Sequence, residues 1–158
     1  FRSELLTQTR GYGIMSHLSA GYGPYKGEIR NRNRGSLIAS EAGAATTYAL
    51  LGLEDRGVFF ISPGDTVYAG MVVGEHSRPN DLEVNVCKKK QVTNIRSSTS
   101  EQTVRLEVPR ETTLESALEF IADDELVEVT PINVRIRKRY LDTHVRARLR
   151  KDKAAGIV

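Results

Sequence analysis

This 158-residue sequence has little cysteine, no tryptophan and no long apolar run. Cys87 is the single cysteine, which excludes an internal disulfide and favours a reducing compartment. Aromatic residues make up only 6% of the chain, which disfavours a protein that binds single strands mainly by base stacking. No apolar run is long enough to cross a bilayer, and the first residues lack the pattern of a signal peptide. These absences predict a cytoplasmic protein that neither spans nor binds a membrane.

The common catalytic signatures are also missing. The sequence has no Walker A motif, no dinucleotide fingerprint and no His-Glu-x-x-His pattern. His17, His76 and His144 are far apart, and acids such as Asp123 and Asp124 pair with arginines more often than they hold a metal. We therefore expect no metal site, no small-molecule substrate and no complete enzyme active site in this chain.

What is present is the composition of an ordinary folded domain. Apolar residues make up 39% of the chain and charged residues 27%, which argues against disorder along the whole chain. The net charge of +3 hides an asymmetry, because the acidic residues concentrate within residues 101–128 while the basic ones cluster elsewhere. The length suits one domain, or a small domain joined to part of a neighbour.

Hydrophobic patterning predicts an α+β, strand-rich fold resembling a small barrel or sandwich. Helices are predicted over residues 1–10, 44–53, 114–121 and 142–153. In the third helix, Thr112 and Glu115 have capping-box spacing, and the predicted buried face is Leu114, Ala117, Leu118 and Ile121. Strands are predicted over residues 14–18, 36–39, 58–61, 66–68, 71–74, 103–108, 126–130 and 132–140. Ser62-Pro63-Gly64-Asp65 has the residues of a type II turn.

The strand predicted over residues 132–140 carries an alternating pattern. Ile132, Val134 and Ile136 fall on one face of the strand, and arginines fall on the other. Spaced cations of this kind suit a phosphate backbone, but pairing with the acidic residues 123–128 explains them equally well. The candidate contacts here are Arg135, Arg137, Lys138 and Arg139.

A second basic segment covers residues 87–98, which we predict to be an exposed loop. Its twelve residues contain four cations and no acid, together with several Asn, Thr and Ser side chains. Such a loop supplies the sequence-independent part of nucleic-acid affinity, although charged loops that only aid solubility are common. We favour the functional interpretation, with Lys88, Lys89, Lys90, Asn94 and Arg96 as the candidate RNA contacts.

Two further cationic segments are less specific. Arg30, Arg32 and Arg34 alternate with Asn in a segment that also suits an ordinary polar turn. The helix predicted at 142–153 is basic, with a narrow apolar stripe that includes Val145 and Leu149, and it suits a phosphate-rich surface, an anionic membrane or plain solvent. The absence of Trp and Phe from the stripe disfavours the membrane. Taken together, the four segments make nucleic acid the leading partner class.

Several short motifs, in consistent order from residue 1 to about residue 141, resemble the C-terminal part of the TypA/BipA translational GTPases. They include Phe1-Arg2-Ser3-Glu4, Thr9-Arg10-Gly11, Gly13-Ile14-Met15, Arg32-Asn33-Arg34-Gly35, Asp55-Arg56-Gly57, Gly70-Met71-Val72-Val73-Gly74-Glu75, Asn80-Asp81-Leu82, Thr93-Asn94-Ile95-Arg96 and Arg137-Lys138-Arg139-Tyr140-Leu141.

The resemblance implies a domain organisation. Residues 1–22 would be the last helix and strand of a ferredoxin-like domain, residues 23–141 the family's β-barrel-like C-terminal domain with helical additions, and residues 142–158 a basic helical tail. The GTPase domain, with its GTP and Mg²⁺, would lie in an N-terminal part absent from this sequence, so this fragment is expected to hold no cofactor.

The resemblance also implies partners. Family members assist assembly of the large ribosomal subunit and act in translation under stress, and their C-terminal domain reaches toward the peptidyl-transferase region and A-site tRNA. This sequence is thus expected to bind the ribosome, large-subunit rRNA and A-site tRNA. The loop at residues 88–98 would be the part that extends to the peptidyl-transferase region and the tRNA. The competing hypothesis is a regulatory module whose basic surfaces bind acidic proteins.

Overall fold

The computed structural model of the chain describes residues 2–25, 27, 32–90 and 106–155. Within these ranges it contains four α-helices and eight strands. In chain order they are α1 (Arg2–Gln8), β1 (Ser36–Ala39), β2 (Gly43–Ala44), α2 (Thr47–Leu51), β3 (Gly57–Phe59), β4 (Thr66–Val67), β5 (Met71–His76), β6 (Leu82–Val84), α3 (Leu114–Phe120), β7 (Glu125–Val129), β8 (Val134–Lys138) and α4 (Thr143–Ala154).

A six-stranded mixed sheet organises the described chain. Its order is β6-β1-β5-β8-β7, and β3 also pairs with β5. The β1–β6 pair is parallel, and the other pairs in this sheet are antiparallel. Strands β2 and β4 form a separate antiparallel pair. Because β5 pairs with β1, β3 and β8, it is the central strand of the fold.

The apolar core lies on both faces of β5. Val72 and Val73 are 2% and 0% exposed, and neighbouring residues of a strand point to opposite faces of a sheet. The larger cluster contains Val73 and Leu37 of β1, while the smaller one joins Val72 to Phe120 of α3 and Ile136 of β8. Helix α3 is therefore fixed to the sheet by Phe120.

The predicted α+β, strand-rich class is confirmed. Strands predicted at 36–39, 58–61, 66–68, 71–74 and 126–130 correspond to β1, β3, β4, β5 and β7, and the strand predicted at 132–140 is the shorter β8. The first helix is present as α1, and the predicted basic helix is α4. The turn at residues 62–65 is also present, since Gly64 has a φ of 95° and the Asp65 amide donates to the Ser62 carbonyl. The division at residues 22 and 142 stays a prediction.

The strand predicted at residues 14–18 is wrong. Ile14 and Leu18 are 95% and 96% exposed, and the structure assigns no strand there. A strand needs a partner to satisfy its backbone, and none of the described strands pairs with this segment. The strand predicted at 103–108 is not formed at residues 106–108, and residues 103–105 lie outside the described ranges.

The helix predicted over residues 44–53 is shorter than expected. Gly43 and Ala44 pair with β4 as a strand, and α2 begins only after Thr46. Thr46 has extended backbone angles, and its side chain accepts a hydrogen bond from the Ala49 amide, so it is the N-cap. Ala favours helices intrinsically, but here strand pairing decides the conformation of Ala44.

Helix α3 starts one residue later than the predicted capping box. Thr113 is the N-cap and exchanges hydrogen bonds with Ser116. The helix buries Ala117 and Phe120, while Leu114 and Leu118 are 45% and 56% exposed, so the predicted apolar face is wrong at both leucines. None of the helices within the described ranges combines the length and the apolar character that a bilayer span requires.

Candidate nucleic-acid interface

Three consecutive lysines form an exposed cationic ridge directly after the core. Val86 is 1% exposed and belongs to the larger apolar cluster, whereas Lys88, Lys89 and Lys90 are all exposed. None of the three has a carboxylate partner in the part of the chain that the structure describes. We call these residues the lysine ridge. It presents three unneutralised charges to solvent.

The base of the lysine ridge is held by the segment that contains α2. The Thr46 hydroxyl donates to the Lys88 carbonyl at 2.5 Å, and the Thr46 amide donates to the Val86 carbonyl. On the far side of residues 91–105, the Glu107 amide donates to a carboxylate oxygen of Glu54 at 2.8 Å, and Leu106 packs on the core. The chain on both sides of residues 91–105 thus attaches to residues 46–54.

Arg32 does not lie on the surface that the sequence suggested. Its guanidinium group donates to both carboxylate oxygens of Glu125, at 2.9 and 3.3 Å, and to the Phe120 carbonyl. It also stacks over the Phe120 ring, 4.3 Å from the centroid. Only 13% of the side chain is exposed. Arg32 therefore fixes the chain entering β1 against α3 and β7.

Lys138 is the clearest correction to the predicted RNA contacts. Its ammonium group is 1% exposed and lies within 3.0 Å of Asp81, Asp124 and Glu125. Strand alternation explains the burial, because Lys138 points to the same face of β8 as Ile136. A phosphate cannot reach this group, so Lys138 is not among the RNA contacts that we propose.

Glu125 is the centre of a buried ion cluster that we define as Arg32, Ser36, Glu125 and Lys138. The Ser36 hydroxyl donates to Glu125 at 2.6 Å, and the Ala122 amide donates to its other oxygen. Burial alone would raise the pKa of Glu125, but Lys138, the Ser36 hydroxyl and Arg32 outweigh it and hold that pKa below its usual value. Burial would likewise lower the pKa of Lys138, and the carboxylates of Glu125, Asp81 and Asp124 raise it instead.

The other cations of residues 135–139 differ in accessibility. Arg137 is ion-paired, with its Nε 2.8 Å from Glu128, as the acidic-stretch interpretation predicted. Glu128 also accepts a hydrogen bond from Tyr68; burial and this bond raise the pKa of Tyr68 above its usual value. Arg135 lines an open cleft of about 360 Å³, and Arg139 is exposed. Arg135 and Arg139 therefore stay candidate contacts, whereas Arg137 is occupied.

Four other predicted contacts need separate mention. Arg34 is 58% exposed and lies 4.0 Å from Glu75, a distance at which the pair is weak. Arg30, Asn94 and Arg96 lie outside the described residues, so their roles stay predictions. Within the described ranges, no three His, Cys, Asp or Glu side chains are grouped where they could share a metal ion.

The sequence patterns did not indicate the role of one cationic residue, Arg110, which packs against two aromatic rings of the smaller apolar cluster. Arg110 pairs with Glu75 at 2.9 Å and lies over the rings of Phe60 and Phe120, at 4.8 and 5.6 Å from their centroids. The two rings meet edge to face at 5.1 Å. Nothing in the local pattern around Arg110 indicates this contact, because its partners come from distant segments. The burial of Lys138 did have a signal, namely its even spacing from Ile136.

Comparison with known proteins gives the same assignment as the motifs. Residues 34–143 match the TypA/BipA C-terminal domain. The chain is 52% identical over 138 residues to the large ribosomal subunit assembly factor BipA of Synechocystis, 46% identical over 159 residues to that of Bacillus subtilis, and 48% identical over 149 residues to that of Escherichia coli K12. These alignments cover 87%, 99% and 94% of this chain but 23%, 26% and 24% of the relatives, so the chain spans about a quarter of their length. The chain belongs to the TypA/BipA family and carries that family's C-terminal domain.

Proposed function

We propose that this chain binds the large ribosomal subunit by contacting ribosomal RNA with the lysine ridge. The observation that carries the proposal is the contrast between Lys88, Lys89 and Lys90, which are exposed and unpaired within the described residues, and Arg32, Arg137 and Lys138, which are paired with carboxylates. Unpaired cations on a fixed base release counterions when they meet phosphates, which favours binding. The relatives are named large ribosomal subunit assembly factors, which supports this choice of partner.

The finer assignments belong to the same proposal. From the family resemblance, the loop at residues 88–98 contacts RNA near the peptidyl-transferase region and the acceptor end of A-site tRNA. An N-terminal GTPase domain of the parent protein controls how long the protein stays on the ribosome. Under this proposal the chain contributes binding to assembly and to translation under stress, while the chemistry belongs to that other domain. Its cellular location is the cytoplasm, where ribosomes assemble in bacteria.

A salt series on the intact chain tests the proposal. We expect the logarithm of the binding constant for purified large subunits to fall linearly with the logarithm of the salt concentration. The reason is that phosphate contacts release counterions. Each phosphate contact contributes roughly 0.7–0.9 to the magnitude of this salt slope, so changing all three ridge lysines to Gln should lower that magnitude by about 2 to 3. Changing the same three to Arg keeps the charge and serves as the matched control.

Two results would overturn the ridge as the contact. One is equal binding by the Gln and Arg variants, and the other is binding with little dependence on salt. The competing acidic-protein interpretation predicts that acidic proteins capture the chain in the absence of RNA. RNA recognition predicts instead that digestion of the RNA abolishes binding to large subunits.

A further inference from the structure

Helix α4 has one anchored side and one exposed side, and they differ in chemistry. Arg146 donates to Glu83 at 2.7 Å and to the carbonyls of Tyr140 and Leu141. Thr143 donates to the same Glu83 at 3.0 Å. These bonds attach the first turn of α4 to β6. The helix therefore leaves the domain in a direction that the folded core sets.

The exposed side of α4 is cationic. At about 100° per residue, His144, Arg148 and Lys151 fall within an arc of about 60°, and all three are exposed. Val145, Arg146 and Leu149 lie on the opposite side and are half-buried. In the described part of the chain, neither Arg148 nor Lys151 has a carboxylate partner. Two permanent charges thus line one face of an anchored helix.

We propose that this face of α4 is a second RNA contact, which grips the phosphate backbone of a base-paired segment of ribosomal RNA. The inference deepens the proposed function, on which it rests for the choice of ribosomal RNA as partner. Along the helix axis, Arg148 lies about 6 Å from His144 and about 4.5 Å from Lys151, so the three side chains follow one line, as a phosphate backbone does. Helix α4 contains no Phe, Tyr or Trp for base stacking, so the contact of Arg148 and Lys151 is to phosphates and independent of sequence.

The same geometry argues against a membrane as the partner. A helix that lies on a bilayer needs a free apolar face to insert among the lipids. The apolar side chains of α4, Val145 and Leu149, share their side of the helix with Arg146, which is bound to the domain. In the described part of α4, the exposed side chains are His144, Arg148, Arg150 and Lys151, and such basic groups suit a hydrated polyanion. Residues 144–154 lie beyond the matched family domain, which ends at residue 143.

The test compares two arginines of the same helix that differ in the direction they face. Arg148 lies on the proposed face, whereas Arg150 is also exposed but points about 120° away from it. The probe is a fluorescent RNA duplex of about 16 base pairs. The readout is the anisotropy of this duplex as the 158-residue chain is added, over a salt series. Arg148→Gln and Arg150→Gln remove the same charge and have the same helix propensity, and circular dichroism checks that both fold.

The expected result is a loss of roughly threefold to tenfold in affinity for Arg148→Gln, with a salt slope lower by about 0.7–0.9, and little change for Arg150→Gln. Equal losses in the two variants would mean that only net charge matters and would overturn the inference. So would no loss in either variant, no binding of the duplex by the unaltered chain, or equally Arg148-dependent binding to vesicles of anionic lipid.

Binding to large subunits is measured in parallel and separates the two proposals. Suppose that the unaltered chain binds subunits and that Arg148→Gln binds both subunits and duplex with the same affinity as the unaltered chain. The proposed function then stands, and the α4 face is rejected as an RNA contact. If the duplex is bound through Arg148 while subunits are not bound, the proposed function is rejected and α4 remains an RNA contact.

Discussion

At the scale of single residues, the ion cluster around Glu125 depends on Lys138. The Glu125 carboxylate is fully buried, and the Lys138 ammonium group lies 3.0 Å from it. Replacing Lys138 with Met keeps most of the length of the side chain, but among the described residues it leaves Glu125 with Arg32 alone as a cationic partner. Removing one partner of a buried ion pair costs about 3–5 kcal/mol, because the other charge stays buried. We predict a loss of that size in the free energy of unfolding, measured by urea denaturation.

The matched control is the next residue. Arg139 is exposed, so Arg139→Met should change the free energy of unfolding by less than about 0.5 kcal/mol. If Lys138→Met were as stable as Arg139→Met, the cluster would contribute nothing to the fold.

The same cluster predicts how stability depends on pH. Glu125 has a lowered pKa, so its stabilisation is present above the unfolded-state value of about 4.3 and is lost as pH falls through the folded value. Lys138 has a raised pKa, so its stabilisation is present below about pH 10.4 and is lost as pH rises through the folded value. Urea midpoints should therefore decline below about pH 4 and above about pH 10. The alkaline decline should shrink in Lys138→Met, and an unchanged decline there would assign it to other groups.

At the scale of secondary structure, Thr46 joins the start of α2 to the base of the lysine ridge. Its side chain caps α2 through the Ala49 amide and donates to the Lys88 carbonyl. Thr46→Val should lose about 1 kcal/mol of stability with the cap. It should also weaken binding to large subunits without changing the salt slope, because no phosphate contact is removed. Thr46→Ser keeps the hydroxyl and should behave like the unaltered chain.

A wild-type affinity in Thr46→Val would show that the ridge does not need this attachment. A lowered salt slope in that variant would point instead to a lost phosphate contact and would contradict a purely positioning role for Thr46.

Elements were predictable where the local pattern and the tertiary environment agree. The apolar run at β1 is fully buried, and the alternation of β8 places Ile136 inside and Arg137 partly outside. The prediction at residues 14–18 was wrong because apolar content alone does not supply a partner strand. The helix predicted to begin at Ala44 was wrong there because pairing with β4 overrides helix propensity. For the site, exposure of the lysine ridge followed from its sequence, whereas the burial of Arg32 depends on α3 and β7, which lie about ninety residues further along the chain.

At the scale of the whole molecule, the buried cores lie within the matched family domain. Both apolar clusters draw their buried residues from positions 37–136, inside the matched range 34–143. Helix α1 and residues 12–25 contribute none of them. The two surfaces proposed to bind RNA, the lysine ridge and the exposed face of α4, extend from this core, and both have a hydrogen-bonded base. Under these two proposals, binding and folding use separate sets of cations.

The most direct test of RNA binding is photo-crosslinking from the lysine ridge. A photoreactive amino acid replaces Lys89, the chain is bound to large ribosomal subunits, and the crosslinked component is identified. A probe placed at the exposed Leu118 of α3 serves as the control for non-specific capture. We predict that Lys89 crosslinks mainly to ribosomal RNA and that an excess of unlabelled chain abolishes the product. Crosslinks from Lys89 only to ribosomal proteins, or no more crosslinking than from Leu118, would contradict it.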